Sequence, residues 1–145
     1  MNIIFIKYGM AIVVLLLLST IFIGCENPVG ALVSMNEEFN LRVGEEASVN
    51  GEDLYIKFIS VPEDSRCPLE FRCFWSGNAE VVISIRKNSN REIKDSLNTH
   101  IDPRGLEYLD YKISLIKLEP YPHRDEWIPQ ASYIATFLIE GNSNK

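Results

Sequence analysis

Residues 78–87 read "NAEVVISIRK", and their side chains sort into two rows. Ala79, Val81, Ile83 and Ile85 fall on one face, with Glu80, Ser84 and Arg86 on the other. Alternation at period two marks a strand with one face in a core and the other toward water. The neighbouring stretches repeat it. "LYIKFISV" (54–61) sets Leu54, Ile56 and Phe58 against Tyr55, Lys57 and Ile59, and "EFNLRV" (38–43) sets Phe39, Leu41 and Val43 against Asn40 and Arg42. "REIKDSLN" (91–98) is a weaker, polar strand expected at a sheet edge. In "YKISLIKLEPYP" (111–122), Ile113, Leu115 and Lys117 oppose Ser114, Ile116 and Leu118. Both faces there are largely apolar, as in a central strand, and Pro120 and Pro122 end it because neither can donate to a ladder. "ASYIATFLIEG" (131–141) is a closing strand.

Turn signals separate these runs. "GEEASVNGED" (44–53) holds two of them, Asn50-Gly51 being a strong hairpin signal. "NSN" (88–90) is another, and "DPRG" (102–105) suits a type I turn. The best helical period, "RGLEYLDY" (104–111), is too short to stand alone. Short strands at regular spacing predict an all-β fold, an antiparallel sandwich of about seven strands.

The first stretch, "MNIIFIKYGMAIVVLLLLSTIFIGC", belongs to a different kind of segment. Lys7 precedes an apolar run from Met10 to Ile23, and the run ends in Gly24-Cys25. A basic start, an apolar middle and a small residue before a cut form an export signal. "FIGC" (22–25) resembles the bacterial lipobox with Phe22 in place of leucine, which implies cleavage before Cys25 and acylation of its sulfur with chains such as palmitate. A plain spanning anchor needs ~18–20 apolar residues and has no use for a terminal Gly-Cys. The expected organisation is a lipoprotein signal peptide at 1–24, a tether at 25–37 that lets the body stand off the membrane, a sandwich at 38–141 and a tail at 142–145. The expected location is the cell envelope. Glu26, where aspartate would retain the protein at the inner membrane, points to the outer membrane of a two-membrane host.

Losing Lys7 from 14 basic residues leaves 13 against 20 acidic ones, a net charge of −7 for the mature chain. That excludes a nucleic-acid partner, which needs a basic stripe, and a polybasic membrane face.

Three cysteines in an exported protein leave an odd thiol to explain. With Cys25 lipidated, Cys67 and Cys73 remain for each other in an oxidising compartment. Their segment, "DSRCPLEFRCFWSGNAEV" (64–81), also carries Pro68, which extends Cys67, and Gly77, which permits a bend. Trp75 is expected over the bridge or in the gap between sheets. Asp64 and Arg66 either pair to hold the loop or face a partner. A redox pair is the alternative, although dithiol oxidoreductases keep two residues between their cysteines beside a helix start. So is a metal site completed by His100 or His123, although zinc pairs sit closer together. No cofactor is expected.

Downstream, "PYPHRDEW" (120–127) gathers charged groups with Tyr121, His123 and Trp127 on a loop between prolines. Such a loop is a solvated turn or a ligand contact, since binding residues concentrate on loops. Tyr108 and Tyr111 offer further stacking surface. No GxSxG, phosphate loop or nucleophile with a neighbouring histidine is present, so no catalytic residue is assigned.

At "DSRCP…C.W.G.A.V" the chain resembles a family of small, poorly characterised bacterial lipoproteins and exported proteins. The matching positions are Asp64, Ser65, Arg66, Cys67, Pro68, Cys73, Trp75, Gly77, Ala79 and Val81, with Pro120, Tyr121 and Pro122 downstream and Ser76 where alanine is common. The resemblance runs from about Leu54 to Leu138 and implies an immunoglobulin-like or related β-sandwich, without a catalytic residue to carry over. The expected function is that of a membrane-anchored, non-catalytic module binding an envelope protein or an extracellular polymer. The alternative is a metal- or redox-linked envelope protein using Cys67 and Cys73 with a histidine.

Overall fold

The computed structural model describes residues 30–141. The expected signal peptide, Cys25, the first part of the expected tether and the tail at 142–145 lie outside the described residues.

Among the described residues, nine strands form two packed sheets. In chain order they are β1 (Ala31–Val33), β2 (Glu38–Arg42), β3 (Glu46–Val49), β4 (Leu54–Ser60), β5 (Glu80–Lys87), β6 (Ile93–Asn98), β7 (Gly105–Tyr108), β8 (Tyr111–Glu119) and β9 (Ile134–Gly141). One sheet runs β1-β3-β4-β5-β6 and the other β2-β9-β8-β7. All pairs are antiparallel except β1 with β3. The likeness to immunoglobulin domains holds for the two-sheet packing. The connectivity differs, because β3 to β6 follow one another as hairpin neighbours in one sheet and β7 to β9 in the other.

The inward rows are those the alternation selects. Leu54, Ile56 and Phe58 of β4 meet Val81, Ile83 and Ile85 of β5. Leu41, Ile113, Leu115, Ala135, Phe137 and Ile139 close the core from the opposite sheet. Phe58 sets its edge toward Phe137 at 6.2 Å between centroids. Full burial of each such Leu, Ile or Phe contributes roughly 1.5–3 kcal/mol.

The three strands not read from the sequence are short. β1 and β3 have three and four residues, and β3 lies within the stretch read as turns. β7 takes half of the supposed helical segment and pairs with β8 through a tight turn, Tyr108 opposite Tyr111. β1 also corrects the tether. Residues 31–33 are an edge strand of the five-stranded sheet, and a side chain at Gly30 would meet the Glu46 carbonyl oxygen at 2.7 Å.

β8 occupies a central position, yet its apolar row changes face for a different reason from the one expected. The ladder to β9 slips between Leu115 and Lys117, leaving Ile116 as the extra residue of a bulge. Ile113, Leu115 and Leu118 therefore all point inward, while Lys117 turns out. The Asp102–Pro103 peptide is cis.

The far end of the sandwich, carrying the 50–53 and 88–92 turns, is tied by a polar cluster. Tyr111 donates to Glu52 Oε2 at 2.5 Å, Lys87 donates to the Tyr111 hydroxyl, and Lys87 pairs with Glu52 at 3.2 Å. Tyr111 is buried and Tyr108 packs against the core, so neither supplies the exposed stacking surface expected of it.

Candidate functional site

The other end carries the β4–β5 connection, residues 61–79. It continues the ladder as a narrow ribbon: Glu80 N–H donates to Glu63 O at 2.9 Å, Ser65 N–H to Asn78 O at 2.7 Å and Cys67 N–H to Ser76 O at 2.9 Å. Gly77 holds φ at +73°, and a Cβ there would lie 1.9 Å from the Ser65 carbonyl oxygen. Only glycine fits this close approach of two backbones. Beyond the ribbon the Cys67–Cys73 disulfide closes the loop, its Cα atoms 5.9 Å apart. Inside it, Phe71 N–H donates to Pro68 O at 3.0 Å and forms a turn.

Arg66 sits at the base of this loop and is 4% exposed. Its guanidinium grips Asp64 with both arms, Nε to Oδ1 at 2.8 Å and Nη2 to Oδ2 at 2.6 Å. It also donates to the Leu118 carbonyl at 2.6 Å and the Pro120 carbonyl at 2.9 Å, and it lies 4.8 Å from the centroid of the Tyr121 ring. Planar, multiply donating arginine suits such a role, and every buried polar atom around it has a partner. Of the two roles open to Asp64 and Arg66, pairing to hold the loop is the observed one.

Burial pushes the Asp64 carboxyl upward, but the Arg66 hydrogen bonds and charge, with the Arg66 N–H and the Tyr133 hydroxyl, together hold it below its usual value. Burial first, and then the Asp64 charge, push the Tyr133 phenol up to about 12. Gln130 adds a second clamp, its side-chain amide accepting from Val61 N–H at 2.9 Å and donating to Val61 O at 2.6 Å.

The 120–127 loop docks on the disulfide loop instead of standing free. Leu69 N–H donates to Pro122 O at 3.1 Å. The Glu70 carboxylate takes His123 Nδ1 at 2.6 Å and the Arg124 N–H at 3.0 Å. The hydrogen bond to Glu70 raises the His123 pKa and lowers that of Glu70. Tyr121 and His123 are thus brought to the loop. Trp127 points elsewhere, 80% exposed beside Val61, Asp64 and Tyr133 in a separate groove of about 220 Å³.

Trp75 narrows the expectation made for it. It does not fill the gap between sheets, for it is 64% exposed, and it stands on the bridge side of the loop, lining one groove with Cys67 and Cys73. Leu69, Phe71 and Phe74 share its exposure, Phe74 completely. Together with Tyr121 and His100 they line an open groove of about 450 Å³ at the loop tip. Leu69, Phe71 and Phe74 were not singled out from the sequence. Their signal was there: "LEFRCFW" packs four large apolar side chains into a loop too short to turn them all inward.

Among the described residues no group of three or more His, Cys, Asp or Glu side chains is gathered to hold a metal. His123 is engaged by Glu70, and the His100 ring by Thr99 at 3.0 Å. The single helical segment of the described residues is a 3₁₀ turn at Gln130–Ser132, so no α-helix start lies beside the sulfurs to activate a thiol. Set against protein-family models, curated proteins and solved structures, the chain matches none of them.

Proposed function

We propose that this chain is a bacterial lipoprotein, acylated at Cys25 and held in the cell envelope, whose β-sandwich is a non-catalytic binding module working through the disulfide end. One observation carries the reading: Leu69, Phe71, Phe74 and Trp75 stand in solvent on a loop that the disulfide, Arg66 and Gly77 hold fixed. Large apolar side chains displayed on a fixed support favour association, because little conformational freedom remains to be lost when they are covered. The lipobox-like "FIGC" supports the anchor, and the resemblance at 64–81 supports the class of protein. The partner belongs among the envelope's own components: its membrane, a protein in it or an extracellular polymer.

Two measurements test the proposal. Labelled palmitate is expected on the wild-type chain and absent from Cys25→Ala. With the lipid in place, the wild-type protein is expected to resist release from isolated envelopes through the added grip of its loop tip. Phe74→Ala/Trp75→Ala is then expected to weaken retention about tenfold, equivalent to about 1.4 kcal/mol. Equal retention of the two proteins would sink the assignment of this end.

A further inference from the structure

The chain enters β1 from the side of the molecule that carries the aromatic tip. Ala31 is level with Ala47, and Glu46 beside it is level with Lys57 of β4. β4 runs from there through Ser60 into the disulfide ribbon. Because β1 is parallel to β3, Gly30 lies on the disulfide side of Ala31, close against the Glu46 carbonyl.

The leash is also short. Five residues, 26–30, separate Cys25 from Ala31. Six Cα steps span at most about 20 Å. From Lys57 to Cys67 the chain advances ten residues, up to about 30 Å at strand spacing. On such a leash Ala31 stays within about 20 Å of the anchored sulfur, and a tilt of the sandwich brings its disulfide loop to the same surface. The body therefore does not stand off the membrane on a thirteen-residue spacer, as the sequence suggested for 25–37.

What the loop presents at that distance suits a bilayer surface. Both tryptophans of the chain, Trp75 and Trp127, and the exposed rings of Phe71 and Phe74 are at this end. Tryptophan favours the headgroup level, where an apolar ring and a polar N–H are both accommodated. Within an acidic chain, the 67–77 loop carries Glu70 and Arg72 and so has no net charge. Arg124 lies over the Phe71 ring at 4.9 Å, and His123 and the Arg124 N–H engage Glu70.

We infer that the disulfide-loop tip is a membrane-contact element, seating Phe74 and Trp75 among the headgroups of the same bilayer that holds Cys25. This rests on the lipid-anchor reading above and names the partner of the tip. Two attachments, one covalent lipid and one loop, fix the tilt of the sandwich and direct its far end away from the surface. Neutral apolar contact of this kind is weak alone and becomes effective when a lipid already supplies the local concentration.

The test uses the full-length, processed protein carrying Trp127→Phe, so that Trp75 is the sole emitter, in vesicles of phosphatidylethanolamine and phosphatidylglycerol. With brominated acyl chains, Trp75 is expected to lose more than about half its emission, as an indole at headgroup depth should. Phe74→Asp is expected to restore most of it. Trp75 emission unchanged by bromine in a protein whose Cys25 carries its lipid overturns the membrane contact and leaves the tip to a protein or polymer. Quenching that persists in full with Phe74→Asp also overturns it, since proximity to the anchor would then suffice. Failure of the anchor itself shows separately, as an unmodified Cys25 in the peptide mass spectrum, and removes both readings.

Discussion

The base and the tip of the disulfide loop are a few residues apart and have opposite chemistry. At the base, the charged Arg66 is buried and all its neighbours are satisfied; at the tip, the apolar Phe74 and Trp75 are exposed. Ordinary partitioning would place these residues the other way round. The inversion separates two tasks within one connection. The base joins the loop to β8 through the Leu118 and Pro120 carbonyls, while the tip contributes little to folding and is free to meet something else.

Removing the base should have the largest effect. Arg66→Ala strands the Asp64 carboxylate and two backbone carbonyls, and is expected to cost about 3–5 kcal/mol in urea unfolding. Reducing the disulfide should cost less. Closing a loop of this length is worth roughly 2–2.5 kcal/mol in the chain-entropy estimate. The tip should be nearly silent in the same experiment: Phe74→Ala/Trp75→Ala is expected to move stability by no more than about 0.5 kcal/mol, as for exposed positions generally. A tip change as costly as Arg66→Ala would abolish the distinction.

Titration sharpens the comparison further. The Asp64 carboxyl lies below its ordinary 3.8 in the folded protein, so its contribution is complete above that value and is lost as pH falls through the depressed one. Acid should therefore loosen the base. His123 behaves in the opposite sense. Its pKa is raised above 6.5 by Glu70, so the contact between the two loops is complete below 6.5 and fades as pH rises through the elevated value. An NMR titration of His123 is expected to show a midpoint above 6.5 that falls in Glu70→Ala, with little change in global stability because the pair is exposed.

The sequence disclosed the strands whose alternation is long enough to be distinctive. β4, β5 and β9, of seven or eight residues, and even the five-residue β2 could be read, as could the polar edge β6. β1, β3 and β7 have three or four residues, where period two is indistinguishable from chance, and β3 is flanked by Gly44 and Asn50-Gly51, which announce turns more loudly. A bulge such as the one at Ile116 reverses a face without altering composition, so the pattern of β8 was legible and its cause was not.

At the site, the disulfide followed from cysteine arithmetic, whereas the burial of Arg66 and exposure of Trp75 did not. The burial of Arg66 depends on β8 and the 120–127 loop arriving from over fifty residues away. The short leash was equally hidden, since it depends on whether Ala31–Val33 pair with β3.

Amide hydrogen exchange tests the central division most directly, comparing the lipidated protein on vesicles with a chain begun at Glu26 in solution. The ribbon amides of Ser65, Cys67 and Glu80, already bonded to Asn78, Ser76 and Glu63, are expected to be protected equally in both. Amides of 69–75 are expected to gain protection only on the membrane. A ribbon that exchanges freely in solution, or a tip whose exchange is the same in both states, would contradict the account.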